Sequence, residues 1–453
     1  MMLVDFRVSN FRSFAEEKVL SMVASRDSTL EGNLVPPEVI LPRTSLRLLK
    51  AAVVYGANAS GKSNLYKAMS AFNNTVARSA TKLSEGDPLP GISPFRLDPR
   101  LRDEPSRFEI RVLIGGALWR YGFAATSTHI AEEWLSVAQA GGRETEWFHR
   151  YGNDKKQWVF GPRLRGRQRT LVEETRPDNC LVLSTAARVG AEQLSPLHRW
   201  IRKRLWHIDL STAPEFLSMQ TADRCKNEEA LCHGVEDLIR RADLGISSIQ
   251  MRDVDLEFPR VPSGDSEAEQ FLRQAVELFK NLKPVKIPRV KTYHAGLNPS
   301  EVIEFDIEDE SKGTQRLFAL AGPILTAISS GATLILDEID CSLHPWLVRE
   351  LVVNMQDPEV NRTGAQLVCM THDTSLQDPD LLRRDQIWFT EKDQSGATDL
   401  YSLYDFAERP RLDAPFARGY LAGKYGGVPV FGNLRRAFLD VARVAEPAGA
   451  ASE

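Results

Sequence analysis

One segment constrains the fold of this chain more than any other, the octapeptide GANASGKS at residues 56–63. It fits the pattern GxxxxGK[ST] at every defined position. The apolar residues 49–55 before it predict a buried strand, and apolar residues with helical spacing follow from Ser63. In this context glycines let several backbone N–H groups point at one anion, and the helix N-terminus adds partial positive charge. The segment therefore predicts a phosphate-binding loop in an α/β fold.

The polar residues of this loop have predicted roles in binding a nucleotide. Lys62 is expected to bridge the β- and γ-phosphates, and the Ser63 hydroxyl is expected to ligate Mg²⁺. The other predicted phosphate-binding residues are Gly56, Asn58, Ser60, Gly61 and Asn64.

A second apolar strand, predicted at 333–337, ends in two consecutive carboxylates, Asp337 and Glu338. Parallel strands deliver their carboxyl ends to the crevice where ligands bind. We expect Asp337 to hold Mg²⁺ through water, and Glu338 to orient or deprotonate the attacking water. Alone such a strand is weak evidence, but together with the phosphate-binding loop it predicts nucleotide hydrolysis.

The composition excludes several protein classes. Hydrophobic residues make up 42% and charged residues 26%, which is typical of a globular protein. The 57 basic and 61 acidic residues give a net charge of −4, so nucleic-acid binding would need a local patch. Residues 317–336 carry no charge, and we interpret them as a buried helix, a turn and a buried strand rather than a membrane span.

The expected location is the cytoplasm. The five cysteines are scattered and form no CxxC pair, which favours a reducing compartment. The N-terminal segment is charged within five residues and does not resemble a secretory signal. A zinc site at Cys225, Cys232 and His233 is not expected, because a partnering pair of ligands is missing.

The chain is predicted to contain two lobes and an insert. We expect an N-terminal lobe over 1–125, an insert of hairpins and helices over 126–290, a C-terminal lobe over 291–445 and a disordered tail over 446–453. Beyond Thr314 helix and strand patterns alternate, which favours an α/β sheet. The patterns further predict hairpins at 108–125 and 284–307, and helices at 195–206, 227–242, 267–281, 314–329 and 344–355.

Four segments resemble signatures of one subclass of P-loop ATPases. Residues 8–14 (VSNFRSF) resemble the N-terminal strand of the RecF, SMC and OLD-like ATPases. Residues 311–315 (SKGTQ) resemble the signature loop of ABC ATPases, residues 339–345 resemble their D-loop, and residues 370–373 resemble their switch histidine. Five further segments resemble the RloA/AbiL-type and PARIS AriA-type phage-defence ATPases: 94–97, 310–318, 337–345, 382–389 and 420–429.

This resemblance implies a fold class, a nucleotide and an assembly. The fold would be α/β: a P-loop ABC-type ATPase head, with a mixed sheet, an antiparallel β subdomain and a largely helical insert. Two heads would bind ATP between them, with Ser311, Gly313 and Gln315 of one head facing the γ-phosphate on the other. His372 would sense that phosphate, and Arg12 would contact a nucleotide phosphate. The predicted catalytic residues are Glu338, Lys62 and His372.

The expected function is an ATPase that switches a separately encoded effector or a nucleic-acid interaction in anti-phage defence. The alternatives are a RecF-like DNA-binding repair ATPase and the ATPase subunit of an OLD-like nuclease complex. A transporter motor or an SMC-like clamp is disfavoured, because the signature differs and no long heptad series is present. No membrane partner is expected.

Two basic segments leave nucleic-acid binding open. Residues 143–170 hold eight basic and three acidic residues interleaved with aromatics, and residues 198–206 read HRWIRKRLW. Such segments could neutralise phosphates and stack on bases, or they could be solvated faces of ordinary elements.

Overall fold

The computed structural model describes most of the chain. The described residues are 1–37, 39, 46–139, 142–152, 158–163, 169–170, 178–210, 214–242, 245–255, 286–298, 301–406, 411, 414–429, 432, 435–436 and 438–439. The predicted helix at 267–281 and the predicted disordered tail at 446–453 lie outside them.

The described residues form sixteen strands and eight α-helices. The strands are β1 Met2–Ser9, β2 Lys18–Ser21, β3 Ala51–Gly56, β4 Ser106–Ile114, β5 Ala117–Ala125, β6 Ile130–Ala138, β7 Glu144–Tyr151, β8 Trp158–Phe160, β9 Leu205–Asp209, β10 Ile246–Asp255, β11 Lys286–Ala295, β12 Val302–Asp306, β13 Thr333–Asp337, β14 Gln366–Met370, β15 Ile387–Lys392 and β16 Thr398–Ser402. The helices are α1 Lys62–Arg78, α2 Val182–Arg188, α3 Ser195–Arg204, α4 Pro214–Asn227, α5 Glu229–Arg241, α6 Lys312–Ser330, α7 Pro345–Gln356 and α8 Phe416–Leu421.

A six-stranded sheet positions the candidate site. Its order is β16-β15-β3-β14-β13-β9, and every pairing is parallel except that of β16 with β15. All residues of β3, β13 and β14 are buried, which explains their nearly continuous apolar sequences. Because these strands run parallel, their carboxyl ends bring Gly56, Asp337 and Met370 to one edge of the sheet.

A seven-stranded antiparallel sheet, in the order β2-β1-β4-β5-β6-β7-β8, shares a core with the first sheet. Helix α1 contributes to this core. Its Phe72 lies 5.8 Å from Phe6 of β1 and 5.5 Å from Phe123 of β5, measured between ring centroids. Val54 and Met370 of the six-stranded sheet belong to the same cluster. Contact with both sheets therefore holds α1 in place.

A second core forms around helix α6. Helices α4 and α5 pack on α6, and β10, β11 and β12 form a small antiparallel sheet beside them. Helix α6 ends at Gly331, which has a left-handed φ of 69°, and β13 follows. The helix, turn and strand predicted for residues 317–336 are thus confirmed. No helix in the described part of the chain is long and apolar enough to cross a membrane.

The predicted fold class is confirmed as a mixed α/β head with an antiparallel subdomain. The hairpins predicted at 108–125 and 284–307 are confirmed as β4–β5 and β11–β12, and the helices predicted near 314–329 and 344–355 as α6 and α7. The division into lobes and insert stays a prediction. Strands β6 to β9 of the region named insert belong to the two large sheets, and the boundary at 290/291 falls inside β11.

The helix predicted over 195–206 is confirmed as α3, but it ends at Arg204 because Leu205 begins strand β9. Helix α4 was not predicted.

Candidate functional site

The loop between β3 and α1 curls as the octapeptide predicts. Gly56 and Gly61 have φ angles of 155° and 125°, and Ala59 takes a left-handed φ of 62°. A Cβ atom on Gly61 would lie 2.4 Å from the Thr398 hydroxyl oxygen. Glycine is therefore required at position 61 by both backbone conformation and space. The first backbone N–H groups of α1 have no acceptor within the helix and can bind an anion.

Lys62 is folded back onto its own loop. Its Nζ donates to the carbonyl oxygens of Gly56 at 2.7 Å and of Ala57 at 3.1 Å. Burial lowers the pKa of Lys62 to about 8, although Asp337, Asp340 and Glu338 act in the opposite direction. An ammonium group has three donors, so one remains for a ligand without any change in the loop.

Residues from distant parts of the chain brace the loop. Ser60 and Thr390 of β15 share a hydrogen bond of 2.6 Å between their hydroxyls. The Thr398 hydroxyl of β16 donates to the carbonyl oxygen of Ser60 at 2.8 Å, and the Ser13 hydroxyl, also 2.8 Å away, can donate to Thr398 in turn. The Ser13 hydroxyl also accepts from the Asn64 side chain at 2.8 Å. The N-terminal signature segment therefore supports the loop through Ser13, whose role had not been predicted.

Two carboxylates meet at the end of the parallel strands. Asp337 accepts a hydrogen bond from the Ser63 hydroxyl, and burial is the main cause that raises its pKa, with Asp209 and Glu338 adding like charge. Asp209 ends β9 and is the strand neighbour of Asp337. Asp209 was missed because β9 lay partly within a predicted helix. Ser63 and Asp337 offer hard oxygen ligands in contact with each other, which fits Mg²⁺.

The predicted parts converge on a cavity of about 390 Å³. It is lined by residues 57–64, Lys67, Asp337, Glu338, Met370, Thr371, His372 and Lys392. Glu338 is exposed there and has a left-handed φ of 53°. The backbone N–H of His372 donates to Asp340 at 3.3 Å, and burial followed by the charge of Lys62 lowers the pKa of the His372 imidazole. Lys392 had not been predicted.

The signature loop does not line this cavity. Ser311 caps helix α6 by accepting from the Thr314 backbone N–H at 3.1 Å. The Gln315 side chain donates to the carbonyls of Glu308 and Glu310, at 3.1 and 2.8 Å. Ser311 is exposed. Lys312, the next residue, is exposed too, so the uncapped backbone N–H groups at the start of α6 face solvent, where an anion could bind.

The signature loop instead packs against the D-loop. A Cβ atom on Gly313 would lie 2.9 Å from the carbonyl oxygen of Ser342. Arg316 donates to the carbonyl of Cys341 at 3.0 Å. A movement of the signature loop would therefore displace the D-loop residues that contact it.

Arg12 lies beside the cavity rather than in it. It is exposed, has a φ of 52°, and lines a neighbouring cavity of about 550 Å³ that also contacts Asn64 and Lys392. Its backbone N–H donates to the carbonyl oxygen of Ser93 at 2.8 Å. A direct contact between Arg12 and nucleotide phosphate stays a prediction.

Part of the basic segment 143–170 is structural. Arg150 is 1% exposed and donates to the carbonyls of Cys180 and Ile130, at 3.0 and 3.1 Å. The rings of Trp119 and Trp147 lie 5.0 Å apart between centroids, against the core. Arg150 is therefore not available to nucleic acid, and Trp147 is partly covered by the core. Lys155, Lys156, Arg165 and Arg167 lie outside the described residues.

Comparisons with known proteins identify a family. The family model described as "AAA domain, putative AbiEii toxin, Type IV TA system" matches residues 51–378. No curated protein matches the chain.

Several solved structures are similar at low identity. An SMC head bound to the C-terminal winged-helix domain of ScpA is 14% identical, with coverage of 89% of this chain and 98% of that chain and a TM-score of 0.42. An SMC head domain bound to the C-terminal domain of ScpA, derived from Pyrococcus furiosus, is 12% identical, with coverage of 88% and 96% and a TM-score of 0.38. The recombination mediator RecF with ATP is 13% identical, with coverage of 88% and 99% and a TM-score of 0.29. Values this low transfer no function to the chain.

Proposed function

This chain belongs to that AAA-domain family, and from this premise we propose that it is an ABC-type ATPase that hydrolyses ATP between two paired heads. The observation that carries the proposal is the convergence of Lys62, Ser63, Asp337, Glu338 and His372 on one cavity. Chance would rarely bring a phosphate-binding loop, a buried carboxylate and an exposed carboxylate together at the carboxyl ends of parallel strands.

Different residues of the site bind the phosphates, hold Mg²⁺ and accept the proton of the attacking water. Lys62 and the first N–H groups of α1 bind the phosphates, since one donor of Lys62 and the helix N-terminus remain available. Ser63 and Asp337 would hold Mg²⁺, which supplies positive charge against the phosphate oxygens. Glu338 accepts a proton from the attacking water, because it is the exposed carboxylate of the pair. The imidazole of His372 is neutral near pH 7, because its pKa is lowered, and it can donate or accept at the terminal phosphate.

The position of the signature loop supports the proposed pairing of two heads. Ser311 and Gly313 are absent from the cavity of their own chain, and the capped N-terminus of α6 is a ready anion site. A second copy would bring this terminus to the γ-phosphate. The complete site thus forms only in the pair, and hydrolysis is coupled to assembly.

The first test separates binding from turnover. Lys62→Ala should abolish both ATP binding and hydrolysis, since it removes the phosphate contact. Glu338→Gln should keep ATP binding and lower turnover by about 10²–10⁴-fold, the usual contribution of a general base. Nucleotide binding and phosphate release would be measured side by side. Unchanged turnover in Glu338→Gln would show that another group acts as the base.

The family description, "putative AbiEii toxin, Type IV TA system", supports a role in defence. We infer that the paired heads switch a separately encoded effector in the cytoplasm during anti-phage defence. Co-expression of the neighbouring reading frame tests this: phage plating should fall with the parent ATPase and recover with Lys62→Ala. Equal plating in both would favour the alternatives, a repair ATPase or a subunit of a nuclease complex.

A further inference from the structure

Five exposed cations lie along the far end of α1 and the adjoining helices: Arg78, Arg188, Arg199, Arg202 and Lys203. We call this set the basic strip. Within the described part of the chain none of the five makes an ion pair with a carboxylate, whereas exposed Arg240 and Arg241 both pair with Asp237. An unneutralised set of cations stands out in a chain whose net charge is −4.

The sequence of α3 explains how the strip forms. Leu197, Trp200 and Ile201 are fully buried, and α3 packs through that face against α1. At helical spacing the opposite face carries Arg199, Arg202 and Lys203 into solvent. Arg188 joins them from α2, where its guanidinium donates to the carbonyl of Ala80 at 2.7 Å. The cations are therefore presented by three mutually packed helices rather than by a loose loop.

Two cavities adjoin Arg202, one on each side. The smaller, about 260 Å³, is also lined by Arg188, Arg199 and Lys203. The larger, about 680 Å³, is also lined by Arg78. Among the described residues lining the two cavities, Asp209 is the only carboxylate. Both cavities therefore favour anions.

The larger cavity carries more than positive charge. Trp206 and Phe216 line it, and Phe216 is 59% exposed. The amide side chains of Asn74 and Gln220 line it as well, and so does Asn73, whose amide nitrogen already donates to the carbonyl of Leu205 at 2.7 Å. Aromatic faces stack on unpaired bases, and amides pair with the polar edges of bases. Inorganic phosphate or an acidic peptide would use the cations alone, without the aromatic and amide groups.

We propose that the basic strip binds single-stranded nucleic acid, with phosphates on its cations and a base in the cavity beside Trp206 and Phe216. This surface is separate from the ATP cavity, and its residues do not line that cavity. The proposal does not depend on ATP hydrolysis and can fail independently of it.

The experiment uses the full chain and a fluorescent 20-nucleotide oligothymidylate, with anisotropy recorded at several salt concentrations. A triple variant, Arg199→Glu, Arg202→Glu and Lys203→Glu, should bind at least tenfold more weakly. The slope of log affinity against log salt should fall by about 2, since each lost phosphate contact on a single strand contributes about 0.7. The control triple, Arg240→Glu, Arg241→Glu and Arg362→Glu, makes the same change of net charge at exposed arginines that line neither cavity.

A second variant tests the base-binding cavity. Phe216→Ala removes an exposed ring, so folding should be unaffected, and binding of the single strand should weaken about tenfold through lost stacking. Binding of a blunt duplex of the same length should be weaker than that of the single strand in the parent. No binding by the parent, equal binding by the strip and control triples, duplex binding as tight as single-strand binding, or no effect of Phe216→Ala would each overturn the proposal.

Discussion

At the scale of single residues, Gly61 and Gly86 separate two reasons for requiring glycine. Both have a positive φ, 125° and 87°, but only at Gly61 would a Cβ atom collide, whereas nothing lies within 4 Å of one at Gly86. Gly86→Ala should cost about 1–2 kcal/mol of stability from backbone strain and leave ATP binding intact. Gly61→Ala should cost more and weaken ATP binding at least about tenfold, because the loop must open. Thermal denaturation and nucleotide titration of both variants decide this, and equal effects on binding would contradict it.

Lys50 gives a prediction about pH. It is fully buried, and its Nζ donates to the carbonyls of Gly32 and Gln356, each at 2.9 Å. Burial lowers its pKa from 10.5 to about 8, with Asp357 opposing the shift. Between these values the unfolded chain binds more protons than the folded one, so this residue's contribution to stability rises with pH.

The matched variant is Lys50→Met, which keeps the length of the side chain and removes its charge. The free energy of unfolding of the parent, relative to that of this variant, should rise by up to about 1.4 kcal/mol per pH unit between pH 8 and 10.5. Below pH 8 the difference between the two proteins should not change with pH. Urea denaturation of both proteins at each pH measures the difference. Parallel stability curves across this range would show that Lys50 keeps an ordinary pKa.

At the scale of secondary-structure elements, Ser311 at the N-terminus of α6 has two roles, helix capping and the proposed phosphate contact, and one substitution can separate them. Ser311 caps the helix through the Thr314 N–H, and we propose that it faces the γ-phosphate of a second head. Aspartate caps a helix as well as serine does, whereas alanine costs about 1 kcal/mol. Ser311→Asp should therefore keep stability but lower turnover by about 10²-fold, because a carboxylate repels phosphate.

Ser311→Ala is the counterpart. It should lower the denaturation midpoint and reduce turnover less than Ser311→Asp does. Steady-state hydrolysis and denaturation measured on the two variants give both readouts. If Ser311→Asp hydrolysed ATP at the parent rate, Ser311 would serve only as a cap.

At the scale of the whole molecule, pairing of heads predicts complementation between inactive chains. Lys62→Ala damages the phosphate-binding loop, and Ser311→Asp damages the signature loop. In a mixed pair, the intact phosphate-binding loop of the Ser311→Asp chain therefore meets the intact signature loop of the Lys62→Ala chain and forms one complete site. A one-to-one mixture should regain hydrolysis at one site per mixed pair, while Lys62→Ala alone stays inactive and Ser311→Asp alone keeps about a hundredth of the parent turnover. Light scattering recorded with turnover gives the oligomeric state. A strictly monomeric parent with full activity would contradict the split site.

The local parts of the fold and site were predictable from sequence. The phosphate-binding loop, strand β13 with Asp337 and Glu338, and helix α6 each depend on neighbouring residues: glycines where φ is positive, an unbroken apolar strand, and a cap followed by apolar helical spacing. The residues that determine each of these elements lie within about twenty positions of one another in the sequence. The convergence of these parts on one cavity was also predictable, because the carboxyl ends of parallel strands lie at the same edge of a sheet.

Tertiary structure alone decided the remainder. The helix predicted over 195–206 included Leu205 and Trp206, but pairing with β13 supplies hydrogen bonds that override this local preference. The same pairing brings Asp209 next to Asp337. Arg150 looked like part of a basic surface, yet Glu133 of β6 and the carbonyls of Ile130 and Cys180 compensate its burial. Each of these outcomes depends on partners far along the chain, and no local pattern encodes which partner a buried strand or charge will meet.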